Sequence, residues 1–388
     1  MTAESPVAAA TRPTTLRELA WLFTRLGLTA FGGPAAHIAM MEDEVVRRRG
    51  WMTRERLLDL IGAANLIPGP TSTELAIHIG HDRCGWAGLI VAGGCFILPA
   101  IAIVLAIAWA YVRFGALPAL GGMLYGIKPV IIALVVQALW SLGRSAVKSL
   151  ALGAVALAAL AASLAGVDEL IVLAAGGIAV ALGRGAMRRA APAASWAPLP
   201  LLGATGAAAT TAAGFALWPL FWIFLKIGAL LFGSGYVLLA FLRGDLVERL
   251  HWLTESQLLD AVAIGQVTPG PVFTTATFIG YVLGGGSGAA VATVGIFLPA
   301  FVFVAISGPL VSRIRRSPAA SAILDGVNVA SLALMAAVAI ALGRAAIVDI
   351  PTVALAAISA VVLIRYRLNS GWLVLGGAVA GTAIAYLS

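Results

Sequence analysis

The sequence predicts an all-helical, polytopic membrane protein whose two homologous halves form an inverted repeat, each half carrying broken or re-entrant helix pairs. Three observations carry this reading. Of 388 residues, 61% are hydrophobic and only 11% charged, against about a quarter charged in soluble domains. No charged residue lies between Arg83 and Arg113, between Arg189 and Lys226, or between Asp260 and Arg313, and apolar stretches of roughly 18 residues or more form bilayer-spanning helices. The chain also repeats itself at an offset of 201. Phe31-Gly32 recurs as Phe232-Gly233, Trp51 and Thr53 as Trp252 and Thr254, and Pro68-Gly69-Pro70 as Pro269-Gly270-Pro271; residues 23–70 match 224–271 at 15 of 48 positions. Beyond that motif the offset is 200, pairing Pro99 with Pro299 and Arg144 with Arg344.

The elements follow in the same order in each half. Residues 1–15 are a polar tail without the apolar stretch of a cleaved signal peptide. The first repeat covers 16–183, a linker covers 184–217, and the second repeat covers 218–388. A first helix (16–41, then 219–242) is interrupted at Gly32-Gly33-Pro34 or Gly233-Ser234-Gly235. A polar loop leads to Thr53 or Thr254 as N-cap, with Thr254 and Gln257 fitting a capping box. Two short helices come next, 57–66 and 71–82 or 258–267 and 272–283, split by Pro-Gly-Pro. About twelve residues rise about 18 Å, little more than half of a hydrocarbon core of roughly 30 Å, so each pair dips in and returns. Four longer helices complete each half, over 85–112, 119–143, 149–165 and 168–183, then 285–312, 319–343, 347–364 and 371–387.

Counting the first helix as a span makes five crossings per half, which inverts the second half provided 200–217 does not cross. Arginine placement agrees. If the loop bearing Arg47, Arg48, Arg49, Arg54 and Arg56 is cytoplasmic, then Arg83, Arg144, Lys148, Arg184, Arg188 and Arg189 lie inside as well. An inverted second half adds Arg313, Arg315, Arg316, Arg365 and Arg367, where a parallel one would export them against the positive-inside rule. This arrangement places the N-terminal tail outside. The +8 net charge is thus loop charge that orients the chain, and nothing in it points to nucleic acid. Cys84 and Cys95 are too few for a disulfide framework.

Broken helices in inverted repeats place transporter sites near the midplane. Proline is favoured in the first turn of a helix, so Pro70 and Pro271 open the helices that follow. Each start offers free backbone N–H groups and about half a positive charge. Two of them brought together bind an anion without a basic side chain; alternatively, Pro-Gly-Pro is only a tight turn. The candidate binding residues are therefore Pro68, Gly69, Pro70, Pro269, Gly270 and Pro271 and the breaks Gly32, Gly33, Gly233 and Ser234. To these are added the hydroxyls of Thr71, Ser72, Thr73, Thr274, Thr275 and Thr277 and the equivalent amides Asn65 and Gln266.

Arg25 and Lys226 occupy equivalent positions, and a cation kept in both copies of an intramembrane helix is a site candidate, unless it snorkels to the interface. Lys128, matched by Asn328, is a third candidate. Glu74 and His78, four residues apart, share a helix face, while their counterparts (Thr274 or Thr275, Phe278 or Ile279) do not ionise. Together with His37 they form a candidate proton-coupling set, or else brace the helix. A metal reading of Glu74, His78, His81 and Cys84 finds no matching ligands in the other half, and no metal or cofactor is expected.

Phe31-Gly-Gly-Pro34, the Glu42-to-Trp51 loop and the run from Asn65 through Pro68-Gly-Pro-Thr-Ser-Thr-Glu74 to His78 and Gly80 resemble the chromate ion transporter family. The run from Gln266 through Pro269-Gly-Pro-Val-Phe273 to Gly280 is similar to that family's second domain. The resemblance implies the long, two-domain form, a bacterial cell membrane and efflux of chromate, with sulfate as a competitor or counter-substrate. Gly233-Ser234-Gly235 departs from the Gly-Gly-Pro of the first half. The expected partners are chromate or a sulfate-like oxyanion and the lipid bilayer, with a homodimer left open. A dianion leaving a cell that is negative inside gains roughly 4.6 kcal/mol per 100 mV, so the expected activity is export by alternating access. A passive anion channel, a proton-coupled metal-ion transporter and a membrane enzyme are the other classes, and no nucleophile–base pair supports the last.

Overall fold

The computed structural model describes residues 14–31, 33–114, 118–186, 215–232, 237–366 and 370–387, and all regular structure among them is helical. The first half comprises α1 (Leu16–Thr29), α2 (Gly33–Glu42, continued by a π-helical turn over Asp43–Arg48), α3 (Arg54–Ala64), α4 (Thr71–Phe114), α5 (Pro118–Ala146), α6 (Leu150–Leu164) and α7 (Glu169–Ala186). The second comprises α8 (Leu217–Leu230), α9 (Leu238–Leu242, with a π-helical turn over Arg243–Arg249), α10 (Glu255–Val267), α11 (Thr275–Arg316, preceded by a 3-10 turn over Val272–Thr274), α12 (Pro318–Ala346), α13 (Ile350–Tyr366) and α14 (Ser370–Leu387). Among the described residues, Thr71–Phe114, Gly121–Ala146, Val272–Ser307 and Pro318–Ala346 are long and apolar enough to cross a membrane.

Helices α4 and α11 are each two arms joined at a turn. Helical geometry is lost at Cys84-Gly85 and at Gly284-Gly285, where Gly85 and Gly285 both adopt φ 59°, a conformation glycine takes without steric cost. The short arm then packs on the start of the long one. A Cβ on Gly80 would sit 2.2 Å from the Gly88 carbonyl oxygen, and one on Gly280 would sit 2.3 Å from that of Gly288. Only glycine allows this approach.

Ion pairs and hydrogen bonds tell which ends share a face. Arg56 at the start of α3 meets Asp82 at the end of the short arm of α4, at 2.5 Å, so α3 and that arm are the predicted re-entrant pair. Arg83 donates to the Trp51 carbonyl (2.7 Å) and to the Thr14 hydroxyl (2.9 Å). Thr14 precedes α1 and Trp51 follows α2, so the first broken helix also enters and returns on one face. The expected span over 16–41 is therefore a second hairpin. Its 14-residue first arm rises only about 21 Å before the break at Ala30.

The long arm of α4 and then α5 are long and apolar enough to cross, while the shorter α6 and α7 run out and back, so the fifth crossing expected of each half is absent. Lys148 and Arg184 both meet Asp325 (3.9 and 2.7 Å) on the face where Thr14 lies. Near the far end of α4, Tyr111 donates to Asp260 of α10 (2.9 Å) and packs on Phe278 in the short arm of α11. The re-entrant pair of the second half thus enters from the opposite face, and the repeat is inverted. Ala186 and Phe215 end on opposite faces; residues 187–214, with Arg188, Arg189 and the segment 200–214, lie outside the described residues.

The face of Thr14 carries Arg17, Arg47, Arg48, Arg49, Arg54, Arg56, Arg83, Arg144, Lys148, Arg184 and Arg365, and α11 ends there with Arg313, Arg315 and Arg316. The opposite face carries Arg113, Arg243, Arg249 and Arg344 among the described residues. Because both ends of the first hairpin share a face, Thr14 lies on the arginine-rich side rather than on the side expected for the tail. Arg12 and Arg367 lie outside the described residues.

Candidate functional site

The two Pro-Gly-Pro turns meet across the pseudo-two-fold. Gly69 N–H donates to the Leu231 carbonyl at the end of α8 (2.8 Å), and Gly270 N–H donates to the Ala30 carbonyl at the end of α1 (2.9 Å). Ala30 and Leu231 are equivalent residues, so each bond is the image of the other. Gly69 and Gly270 hold φ of 135° and 90°, where a side chain would be strained. Each half thereby ties its own turn to the broken helix of the other. Between the turns lies a narrow cavity lined by Pro34, His37, Gly69, Pro70, Thr71 and Ser72 from one half and Pro271, Val272 and Phe273 from the other.

Both proline-opened termini reach this cavity. In a first helical turn the amides have no partner behind them. Thr73 and Glu74 N–H turn back to the Pro70 carbonyl, and Thr274 N–H to that of Pro271. The amides of Thr71, Ser72, Val272 and Phe273 are left as the donors of the two starts. The first start is α-helical at once, whereas the second passes through the 3-10 turn.

The side chains around the two starts differ. Thr274 and Thr275 hydroxyls donate to the Pro271 and Val272 carbonyls (2.9 and 2.8 Å), and Thr277 bonds Thr293 (2.7 Å), so the second half spends these groups on its own backbone and packing. In the first half the Thr73 hydroxyl, both Glu74 carboxyl oxygens and His78 Nε2 are buried without a partner. Glu74 is fully buried and its Oε1 lies against Gly69, where a Cβ would approach to 2.5 Å. His37 Nε2 donates to the Ala30 carbonyl (3.0 Å), the same oxygen that receives Gly270 N–H, while its Nδ1 has no partner. Glu74 and His78 share a face of α4 without bonding each other. Pro68 and Pro269 lead into the turns, Asn65 ends α3, and Gln266 is buried near the end of α10. Gly33 has φ 79° at the first break; Gly32, Gly233 and Ser234 lie outside the described residues.

The structure brings the three candidate cations to acids rather than to the turns. Arg25 meets Glu44 at 2.5 Å, with Arg48 adding a second contact; Lys226 meets Asp245 at 2.5 Å, with Arg249 in the equivalent place. Lys128 meets Asp260 (3.1 Å) and donates to Ser256 (2.6 Å), and Tyr111 donates to the other Asp260 oxygen. Sequence reasoning singled out the cations and missed these acids, although Glu44 and Asp245 stand at equivalent positions. A buried charge is costly unless paired, so a cation repeated in both halves calls for a repeated acid.

Two wider cavities, each about 520 Å³, lie one between α5 and α12 and the other along α12. The one on the arginine-rich face runs from Lys148 and Asp325 at its mouth to Pro34, Asn65 and Thr71, and so reaches the first Pro-Gly-Pro turn. The one on the opposite face is lined by Glu169, Arg243, Asp245, Arg249, Ala337, Ala341 and Arg344, and no residue of the second Pro-Gly-Pro turn lines it.

Comparison with known proteins places this architecture. The family model described as chromate transporter matches twice, over residues 17–181 and 218–382. The chain is similar to a chromate transport protein of Cupriavidus metallidurans (34% identity, covering 97% of this chain and 95% of that one). It is also similar to a probable chromate transport protein of Synechococcus elongatus (32%, 87% of each) and to a chromate transport protein of Pseudomonas aeruginosa (33%, 85% and 82%). No solved structure matches the chain. Two matched halves with the paired proline turns at their junction make this chain a member of the chromate transporter family.

Proposed function

We propose that the protein is a secondary transporter that exports a tetrahedral oxyanion, chromate or a sulfate-like dianion, by alternating access. The observation that carries the reading is the reciprocal pairing of the Pro-Gly-Pro turns, which aims two helix N-termini at one cavity. Amides and helix dipoles there replace hydration lost by the anion. The relatives named for chromate transport supply the substrate class. The excess of arginine marks the face of Thr14 as cytoplasmic, and the wide cavity on that face reaches the site. The conformation is thus open towards the cytoplasm. On the other side Lys128, Asp260, Tyr111 and Ser256 tie α4 and α5 to α10 and act as the outer gate. Breaking that cluster opens the second half's route and closes the first's.

Glu74, with His37 and His78 nearby, supplies the proton coupling. An ionised carboxylate without a partner is costly in a dry interior, so Glu74 exchanges a proton as the neighbouring turn fills with anion and empties. The test is uptake of labelled chromate into inside-out vesicles, with and without a pH gradient. Saturable uptake, stimulated by the gradient and competed by sulfate, is the expected result. Non-saturating flux at channel rates, or none, would overturn the reading.

A further inference from the structure

The cavity on the arginine-rich face has a lining that the transport reading does not use. Gln137 and Ser141 lie four residues apart on α5, and Asn328 and Ser331 three apart on α12, all facing that cavity. Such spacings put each pair on one side of its helix. Ser331 is 1% exposed and its buried hydroxyl has no hydrogen-bond partner, an expensive state unless a ligand or water takes the bond. These groups stand between the mouth at Lys148 and the helix start at Thr71. At the mouth Lys148 stands beside Asp325, which Arg184 also meets, while the lining deeper in presents neutral hydroxyls and amides.

The other half makes the contrast. With the offset of 200, Gln137 and Ser141 correspond to Ala337 and Ala341, which line the cavity on the opposite face, and Ser331 corresponds to Ile131. These neutral hydroxyls and amides therefore line one face only, and the opposite cavity is lined instead by charged groups, among them Glu169, Arg243, Asp245, Arg249 and Arg344.

We infer that Gln137, Ser141, Asn328 and Ser331 form a capture subsite that takes a tetrahedral oxyanion from the arginine-rich face and passes it to the Pro-Gly-Pro turns. This rests on the oxyanion reading above. Neutral donors hold a dianion without the deep trap that unpaired lysines would make, which suits a station that must empty inward. On the opposite face alanines stand at the positions of Gln137 and Ser141, and the carboxylates Glu169, Asp245 and Glu248 line the cavity beside its arginines, so affinity differs between the two faces.

The experiment measures half-saturating chromate and sulfate in inside-out and right-side-out vesicles. The variant carries Gln137→Ala, Ser141→Ala and Ser331→Ala together, which copies the small side chains of the other half at two positions. The expected result is a rise of about tenfold in half-saturation at the arginine-rich face, the loss of roughly one charge-assisted bond. The maximal rate should stay within about twofold, with no change at the opposite face. No rise, or an equal rise at both faces, overturns the inference. Should the triple variant not assemble, Ser331→Ala alone decides, with a rise of about threefold for and none against. Chromate flux in the unmodified protein that ignores these residues sinks the subsite alone, whereas absence of any oxyanion flux sinks the transport reading with it.

Discussion

The two halves share a backbone and differ in chemistry. Both have the hairpin turn at Gly85 or Gly285, the glycine contact at Gly80–Gly88 or Gly280–Gly288, and an ion cluster built on Glu44 or Asp245. Among the described residues, the unpartnered groups at the proline turns are Thr73, Glu74, His78 and His37 of the first half, against self-bonded Thr274 and Thr275 in the second. What the halves keep in common is scaffold. What they do not share is the hydrogen bonding of the side chains beside the proline turns.

The largest effect should come from breaking what is shared. A Cβ at Gly80 or Gly280 meets a backbone carbonyl that cannot give way, and overpacking of this kind costs about 3 kcal/mol or more. Gly80→Ala and Gly280→Ala are each expected to abolish recovery of monodisperse protein from detergent extracts, to similar extents. Normal yield of one variant beside loss of the other would show that the halves are not equivalent as scaffolds.

The next largest should come from what is not shared. Glu74→Gln keeps the shape and removes the exchangeable proton; it is expected to lower chromate uptake more than tenfold and to erase its response to a pH gradient. Thr275→Val, in the corresponding stretch of the other half, removes only a bond to the Val272 carbonyl. It should cost about 1 kcal/mol of stability and leave the pH response intact. If both variants respond alike to the gradient, the division of labour between halves is wrong.

This contrast also explains what was legible beforehand. The repeat and the re-entrant pair could be read because Trp, Pro and Gly recur in register at 51 and 252, 68 and 269, and 69 and 270, whereas the inversion was legible only in the placement of arginines, since the count of five spans that also pointed to it does not hold. The first hairpin could not, since an apolar helix with a glycine break has the same composition whether it crosses or returns. The bonds of Arg83 to Trp51 and Thr14, with that of Cys84 to the Thr14 carbonyl, separate the two. At the site, Pro70 and Pro271 announced the helix starts by the geometry of proline. Asp260, Glu44 and Asp245 were missed because no partner was sought for the cations, whereas an acid's role follows from which cation it meets.

A smaller effect is expected at the repeated ion clusters. Lys226→Gln leaves Asp245 buried but still touched by Arg249, so the loss should be about 1–3 kcal/mol, below the 3–5 kcal/mol of a fully orphaned charge. Adding Asp245→Asn should recover much of that stability in a thermal melt and restore uptake with it. Restored stability without restored uptake would give Lys226 a direct part in carrying the anion.

The smallest effect separates two latches at equivalent positions of α5 and α12. Residue 125 in α5 corresponds to residue 325 in α12, yet Tyr125 donates to Asp349 (2.6 Å) where Asp325 instead receives Lys148 and Arg184. The Tyr125 hydroxyl, and after it the Thr352 amide, hold the Asp349 carboxyl below its ordinary range. A carboxyl lowered in the folded state stabilises it above the ordinary aspartate value of about 3.9 and loses that effect as pH falls through the folded value. Tyr125→Phe should therefore lower the melting temperature slightly at pH 7, and the gap from the unmodified protein should close as pH falls past the ordinary aspartate range and through the lowered folded value. Salt should barely change that gap, because one partner is neutral. Asp325→Asn should behave in the opposite manner, its penalty shrinking as added salt screens the exposed pairs with Lys148 and Arg184. If the two penalties respond to salt alike, the two latches work by the same force, and the divergence of the halves does not extend to the helices that join them.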